Sequence, residues 1–333
     1  MWDASKCDLC GICLERCPFG DFTREQAAEQ IKLLMEGKEA GILKRCVTCC
    51  ACTEFCPTKA DPFDLILAML ERTGSFPVNP AMVAVFDQFS GIPSSVTSGD
   101  PDKPALSLCI MEGQIPLGTL DSELFRGLTI AKGGAYFCSI GYIHLGRISP
   151  LQKNARPFVD ALVGLGREII FFHDDCYAMV HAKIRDFGLA VPFAYRHLFE
   201  YLRDYLRDHR SRITRLDMAV AYQRPCASRY TPEKDVFLDE IFTLIGVHRV
   251  PRNYDLENAL CCSAAFVRVY PDLAQATQAR NIDDALESGA QALVTLCPMC
   301  DRLLKRPTEA RGFPKIYITD LCRMALGELP ISL

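Results

Sequence analysis

Past residue 104 the chain alternates short apolar runs with longer amphipathic stretches. Runs such as 168–172 and 292–296 are four to six residues long and predict strands. The intervening stretches predict helices; over 196–215, Leu198, Leu202 and Leu206 fall four apart, so that helix should pack one face on a core. Strand and helix in alternation predict an α/β layer with a mainly parallel sheet. The runs ALSLC and VAYQRPC end in Cys109 and Cys226, which places these thiols in loops at the carboxyl edge, where open α/β sheets hold ligands. The first 89 residues read differently. Residues 23–45 are rich in helix formers without an interior proline, and Asp61-Pro62 opens an apolar helix over 63–70 with Asp61 expected to cap it. Residues 90–104 (SGIPSSVTSGDPDKP) predict an exposed linker. No stretch approaches the length of apolar residues that a transmembrane helix needs.

The α/β part is a duplication. Residues 155–176 and 279–300 align at an offset of 124 without a gap, and Ala155, Arg156, Asp160, Ala161, Leu162 and Cys176 recur as Ala279, Arg280, Asp284, Ala285, Leu286 and Cys300. The same offset places Phe137-Cys138-Ser139 on Cys261-Cys262-Ser263 and His173 on Cys297. The second copy holds five cysteines on three loops: Cys226, Cys261, Cys262, Cys297 and Cys300. The first keeps Cys109, Cys138 and Cys176.

Composition sharpens this. A net charge of −4 over 333 residues leaves no electrostatic footprint for nucleic acid. Eighteen cysteines exceed what a core needs, and a disulfide framework belongs to short secreted chains, so most are expected to be ligands. A cysteine loop beginning at Cys7 leaves no room for a signal peptide, and the expected compartment is the reducing cytoplasm. Cys7, Cys10, Cys13 and Cys17 precede Pro18, and Cys46, Cys49, Cys52 and Cys56 precede Pro57. This C-x2-C-x2-C-x3-C-P run, written twice, resembles bacterial two-cluster ferredoxins. Three thiolates within seven residues converge on one cubane, and the fourth ligates its neighbour. The expected sets are Cys7, Cys10, Cys13 and Cys56 for one [4Fe–4S] cubane, and Cys46, Cys49, Cys52 and Cys17 for the second. Structural zinc usually takes two separate CxxC pairs instead.

The five-cysteine pattern resembles the CCG domain of heterodisulfide reductase catalytic subunits, found similarly in E-type succinate:quinone reductases and in iron–sulfur subunits of glycolate, lactate and anaerobic glycerol-3-phosphate dehydrogenases. The resemblance implies a helical two-cluster ferredoxin domain at 1–89, a linker at 90–104, a degenerate CCG-like α/β repeat at 105–215 and a complete CCG repeat at 216–333. The fold class is thus mixed, α+β with α/β. It further implies that Cys226, Cys261, Cys262, Cys297 and Cys300 hold a noncubane [4Fe–4S] cluster at the active site. Two positions depart from the pattern. Ser263 follows the cysteine doublet where glycine is usual, and the first repeat has Phe137 and His173 at two ligand positions. Cys109, Cys138, Cys176 and His173 then suit one tetrahedral zinc, or are left without a metal.

Three functions follow from that resemblance. One is an oxidoreductase subunit that passes electrons from a flavin-containing partner through the cubanes to the noncubane cluster. Another is a non-catalytic electron-transfer subunit reaching a quinone or other acceptor; the third is an iron–sulfur scaffold. Of the remaining residues, Cys50 is expected to be a buried free thiol and Cys322 a core residue. Asp174 and Asp175 are expected to be solvated loop acids, and Gly164-Leu165-Gly166 a turn.

Overall fold

The computed structural model describes residues 1–331. Its first elements are helices: α1 (Ile12–Glu15), α2 (Arg24–Met35), α3 (Ala51–Phe55), α4 (Pro62–Thr73) and α5 (Pro80–Phe89). The cysteine loops precede and overlap α1 and α3. Helix α2 starts at a capping box, in which Thr23 Oγ1 accepts from the Gln26 amide at 3.3 Å and Gln26 Oε1 accepts from the Thr23 amide at 2.9 Å. It ends at Gly37, in the left-handed region at φ 72°, so helix α2 fills only part of the helix-forming stretch 23–45, and a 3-10 turn at Gly41–Lys44 follows. Asp61 does not cap α4. Its backbone is left-handed, its side chain bonds no helix amide, and its carboxylate lies 3.4 Å from the chain's amino terminus.

The first sheet joins β1 (Ser95–Thr97), β2 (Ala105–Cys109), β3 (Thr129–Lys132), β4 (Ile169–Phe171) and β5 (Tyr195–His197) in the order β1-β3-β2-β4-β5. Only β1 is antiparallel, pairing Val96 with Ala131. Residues 90–104 therefore do more than link: their polar, exposed composition suits an edge strand as well as a loop. Between these strands run α6 (Ser149–Val163), α7 (Asp174–Ala178) and α8 (Ile184–Asp186); α9 (Leu198–Asp208) follows β5. The second sheet, β6 (Met218–Gln223), β7 (Val247–Arg249), β8 (Ala292–Thr295) and β9 (Lys315–Tyr317), is wholly parallel in the order β7-β6-β8-β9. It repeats the order of β3, β2, β4 and β5, so the duplication seen in sequence extends to topology. Its helices are α10 (Asp235–Ile245), α11 (Pro271–Glu287), α12 (Pro298–Glu309) and α13 (Ile318–Ala325).

The two repeats share one core. Leu106 and Ile170 of the first sheet join Val220 and Val294 of the second, with Leu198, Leu202 and Leu206 of α9 and Leu238, Ile241 and Ile245 of α10. Phe172 stacks on Tyr317 across the junction at 6.2 Å between ring centres. Both sheets thereby point their carboxyl ends toward the cysteine loops of the helical part.

Candidate metal centre

The two N-terminal loops fold alike. Leu9 and Gly11 in the first, and Thr48 and Cys50 in the second, all have positive φ, a backbone path that turns successive thiols inward. Glycine is needed in the first loop because a Cβ at Gly11 would meet the Arg24 carbonyl oxygen at 2.2 Å. The second loop has room for Cys50, which is buried. Thiols from both motifs meet. Burial pushes Cys13 up to about 12, with further increments from Cys56, Cys10 and Cys7. Cys7 and Cys10 are raised first by burial and also by Cys56. Burial likewise pushes Cys17 up to about 12, next to Cys49, while Cys52 is raised by burial and by Cys13, Cys46, Cys17 and Cys49. Backbone amides donate to Cys46 Sγ from Thr48 at 3.4 Å and to Cys56 Sγ from Ala60 at 3.3 Å. An all-thiol donor set with amides directed at sulfur fits iron–sulfur clusters.

The five cysteines of the second repeat also converge at strand ends. Cys226 follows β6, Cys297 follows β8 and opens α12, and the doublet lies in the loop between β7 and α11. Cys226 Sγ and Cys261 Sγ are 3.5 Å apart. Cys262 is held low by Cys261 and Cys300, and Cys297 by Cys300 with help from His173 against burial. Ser263, where glycine is usual, takes φ 74° and donates its amide to Cys261 Sγ at 3.3 Å. The departure from glycine thus keeps the left-handed turn and places a donor on a thiol.

A buried ion-pair cluster ties this site to the second N-terminal loop. Glu54 of α3 lies 2.6 Å from Arg224 Nη1 and 3.1 Å from Arg229 Nη1, the arginines flanking Cys226. Val47, Cys49 and Phe55 pack in one apolar cluster with Cys261 and Phe266. A second tie joins α4 to the first repeat: Lys183 Nζ is 2.6 Å from Asp64 Oδ2, both buried, and 4.1 Å from the Tyr230 ring centre.

Between the repeats lies a cavity of about 780 Å³. All five cysteines of the second repeat line it, together with Cys109, Cys138, His173 and Asp175 of the first. Met82, Val85, Phe86 and Phe89 of α5 form an apolar wall, and the exposed Arg268, Arg302, Lys305 and Arg306 border it. Phe137, standing where the second repeat has Cys261, meets Phe89 edge to face at 5.4 Å. One former ligand position has become part of the wall.

In the first repeat the sulfurs of Cys109, Cys138 and Cys176 lie within 4.8 Å of one another, all buried. Thiolates on one tetrahedral zinc stand about 3.8 Å apart, from Zn–S bonds of about 2.3 Å, so the trio is sized for a single ion. His173 is not part of it. It lines the cavity together with the five cysteines, and its Nδ1 lies 3.6 Å from Asp175. Burial opposes a charge on His173, but Asp175 and Cys297 outweigh it and raise the pKa to about 10. Asp174 is not a solvated acid. It is fully buried, 2.8 Å from Lys234 Nζ and 3.4 Å from His197 Nε2; burial alone would raise its carboxyl, but the Lys234 ammonium, helped by His197, holds it well below the usual range. Cys322 is buried on α13 within the shared core. Gly166, at φ 63°, occupies a turn. The α5 wall, the Glu54 tie and His144, a half-buried cavity residue sharing a 3.3 Å hydrogen bond with Thr48 Oγ1, carry no sequence signal, because their partners are far along the chain.

The description "4Fe-4S dicluster domain" matches residues 1–57, and "Cysteine-rich domain" (CCG) matches residues 220–305. The chain is 23% identical over 349 residues to one subunit of the dihydromethanophenazine:CoB–CoM heterodisulfide reductase of Methanosarcina barkeri, covering 99% of this chain and 79% of that protein. Its counterpart in Methanosarcina acetivorans is also 23% identical, over 329 residues, covering 91% and 72%. Among solved structures, a hypothetical protein from Helicobacter pylori superposes with a TM-score of 0.58 at 12% identity. That match covers 90% of this chain but 65% of the other, so the chain spans less than two thirds of its length, and the likeness is one of fold. No helix among the described residues is long and apolar enough to cross a membrane.

Proposed function

We propose, from the premise that this chain joins a 4Fe-4S dicluster domain to a CCG domain and is similar to a heterodisulfide reductase subunit, that it is the sulfur-reducing component of a larger redox complex. Cys7, Cys10, Cys13 and Cys56 hold one cubane, Cys46, Cys49, Cys52 and Cys17 the other, and Cys226, Cys261, Cys262, Cys297 and Cys300 a noncubane four-iron cluster. When bound, these groups supply one-electron transfer and a site for a substrate sulfur. The chain's own residues do the rest. The Glu54 tie fixes the Cys49 loop against the Cys226 loop, the cavity admits a disulfide to the five cysteines, and the α5 wall limits water. Two electrons from a flavin-bearing partner and two protons turn one disulfide into two thiols. Cys109, Cys138 and Cys176 hold one zinc, which leaves its fourth position to a ligand outside that trio. We place the complex in the cytoplasm and the domain limits at 1–89, 105–215 and 216–333, with β1 docked onto the first repeat.

The observation that carries this reading is the shared cavity: the five-cysteine site faces solvent-accessible space on one side and the Cys49 loop on the other. Pure relay is the second reading, favoured by the loss of two ligand positions at Phe137 and His173. Thiols and disulfides titrated into the anaerobically purified protein separate them. Substrate reduction requires that a sulfur compound alter the EPR of the five-cysteine cluster; an unaltered signal at saturating concentrations leaves relay. Cluster ligation is tested by iron content, expected at about 12 per chain for three four-iron clusters. About eight irons with only cubane signals would remove the third cluster.

A further inference from the structure

Each cysteine loop of the first repeat keeps one thiol. Cys138 and Cys176 stand at the offset of 124 from Cys262 and Cys300, and Cys109 ends β2 as Cys226 follows β6. The three sulfurs lie within 4.8 Å of one another, and among the described residues no carboxylate, imidazole or further thiol joins them at that spacing. His173 and Asp175, the nearest candidates along the chain, lie 3.6 Å from each other instead. A structural zinc is closed by four protein ligands, whereas three protein ligands leave a position for something else. The open side can be located. Cys109 and Cys138 line the cavity, while Cys176, fully buried on α7, does not. Two of the three sulfurs thus border the same space as the five cysteines of the second repeat. Its volume of about 780 Å³ is that of a pocket for a small organic molecule.

We propose that Cys109, Cys138 and Cys176 form a thiolate-binding subsite: they hold a zinc whose fourth position opens to the cavity and takes the sulfur of a small thiol. Three thiolates make the site soft, so a fourth sulfur suits it better than a carboxylate or hydroxyl. A thiol that coordinates zinc is deprotonated outright, so it enters as the thiolate and its proton passes to solvent. Ile110 and Met111, next to Cys109 in the cavity lining, offer an apolar surface to the group that carries the sulfur. Reduction of a disulfide in this cavity yields two thiols, and the trio is a place for one of them. The degenerate repeat then keeps a ligand-binding task, although it lost two thiol positions.

The inference rests on the reading of the trio as a zinc site, which elemental analysis tests by itself. About one zinc per chain without the signature below defeats only this inference; no zinc defeats both. Purify the full-length protein anaerobically, with no added thiol, and record X-ray absorption at the zinc K-edge, which the iron of the clusters does not obscure. Three sulfur neighbours at about 2.3 Å and one oxygen or nitrogen neighbour are expected. Excess 2-mercaptoethanol should replace the light neighbour with a fourth sulfur. Benzeneselenol should instead bring one selenium into the first shell, which its stronger scattering distinguishes from the protein sulfurs. Four sulfurs before any thiol is added, the outer-shell scattering of a histidine ring, or a first shell that neither probe alters at saturation would each overturn the proposal. Cys138→Ser should lose the zinc–selenium shell, and its survival there would place the zinc elsewhere. If that variant fails to fold, the wild-type spectra decide alone.

Discussion

The two repeats share strand order and a core, yet differ at two thiol positions and in α10, which joins the first two strands of the second repeat only. The second repeat presents five cysteines to the cavity. In the first, Phe137 fills one ligand position with an aromatic ring against Phe89, and the remaining three thiols close to within 4.8 Å, a single-ion spacing. His173 lies outside its own repeat's thiol trio and lines the cavity that the five cysteines also line. Ligand loss did not leave an empty half-site. Phe137 adds an aromatic ring to a cavity lining that still includes Cys109 and Cys138.

Breaking the complete repeat should have the largest effect. Cys226 stands alone on its loop, so Cys226→Ala should abolish disulfide turnover and remove about four irons, while the cubanes still reduce normally. Retention of the full iron content and of turnover would mean that the two repeats do not differ in the way described.

Each repeat is tied to the helical part by a buried ion pair, Lys183–Asp64 for the first and Arg224 and Arg229 with Glu54 for the second. Removing one partner of such a pair leaves an uncompensated charge and destabilises by about 3–5 kcal/mol. Lys183→Met and Glu54→Gln should therefore both lower stability by amounts of that order in denaturant titrations. Only Glu54→Gln should also slow electron transfer from the cubanes to the five-cysteine site, because only Glu54 lies between Cys52 and Cys56 and against the Cys226 loop. Equal slowing by Lys183→Met would show that the two ties are not distinct.

The legible part of this molecule was the part encoded by short-range spacing. Ferredoxin-like loops need only seven residues to converge three thiols, and the repeat register survives as an ungapped offset. What the sequence left undetermined depends on partners brought together by folding. Asp174 looks like a loop acid until Lys234, sixty residues on, is buried against it. Asp61 has the composition of a cap, but its positive φ directs it elsewhere. His173 completes a tetrahedral set by type and spacing, yet the fold leaves it outside the trio of converging thiols. Residues 90–104 have the polar composition of a linker, which an exposed edge strand shares.

A smaller effect is expected in the first repeat. Cys176→Ser should lower zinc, measured by elemental analysis, from about one equivalent per chain to well below it, the three-thiolate set being reduced to two. Iron should stay unchanged. His173→Leu should keep the zinc, since the ring is outside the trio. Zinc lost with His173 would restore the four-ligand set and weaken the contrast between the repeats.

The least disruptive test concerns the border of the cavity. Arg302 and Arg306 are exposed on α12, the helix that Cys297 opens and that carries Cys300, and both line the cavity. Replacing both with glutamine should change stability by no more than about 0.5 kcal/mol, since surface substitutions away from buried networks do little. Their positive charge, however, raises the local concentration of anions at the cavity, an effect that salt screens within about 8 Å at physiological ionic strength. The double variant should therefore raise KM for an anionic disulfide, leave that for a neutral disulfide nearly unchanged, and flatten the dependence on salt, with kcat little altered. An equal rise for both substrates would assign these arginines to the shape of the entrance instead of its charge. The contrast between the two repeats would then lie in the thiols and the aromatic ring alone.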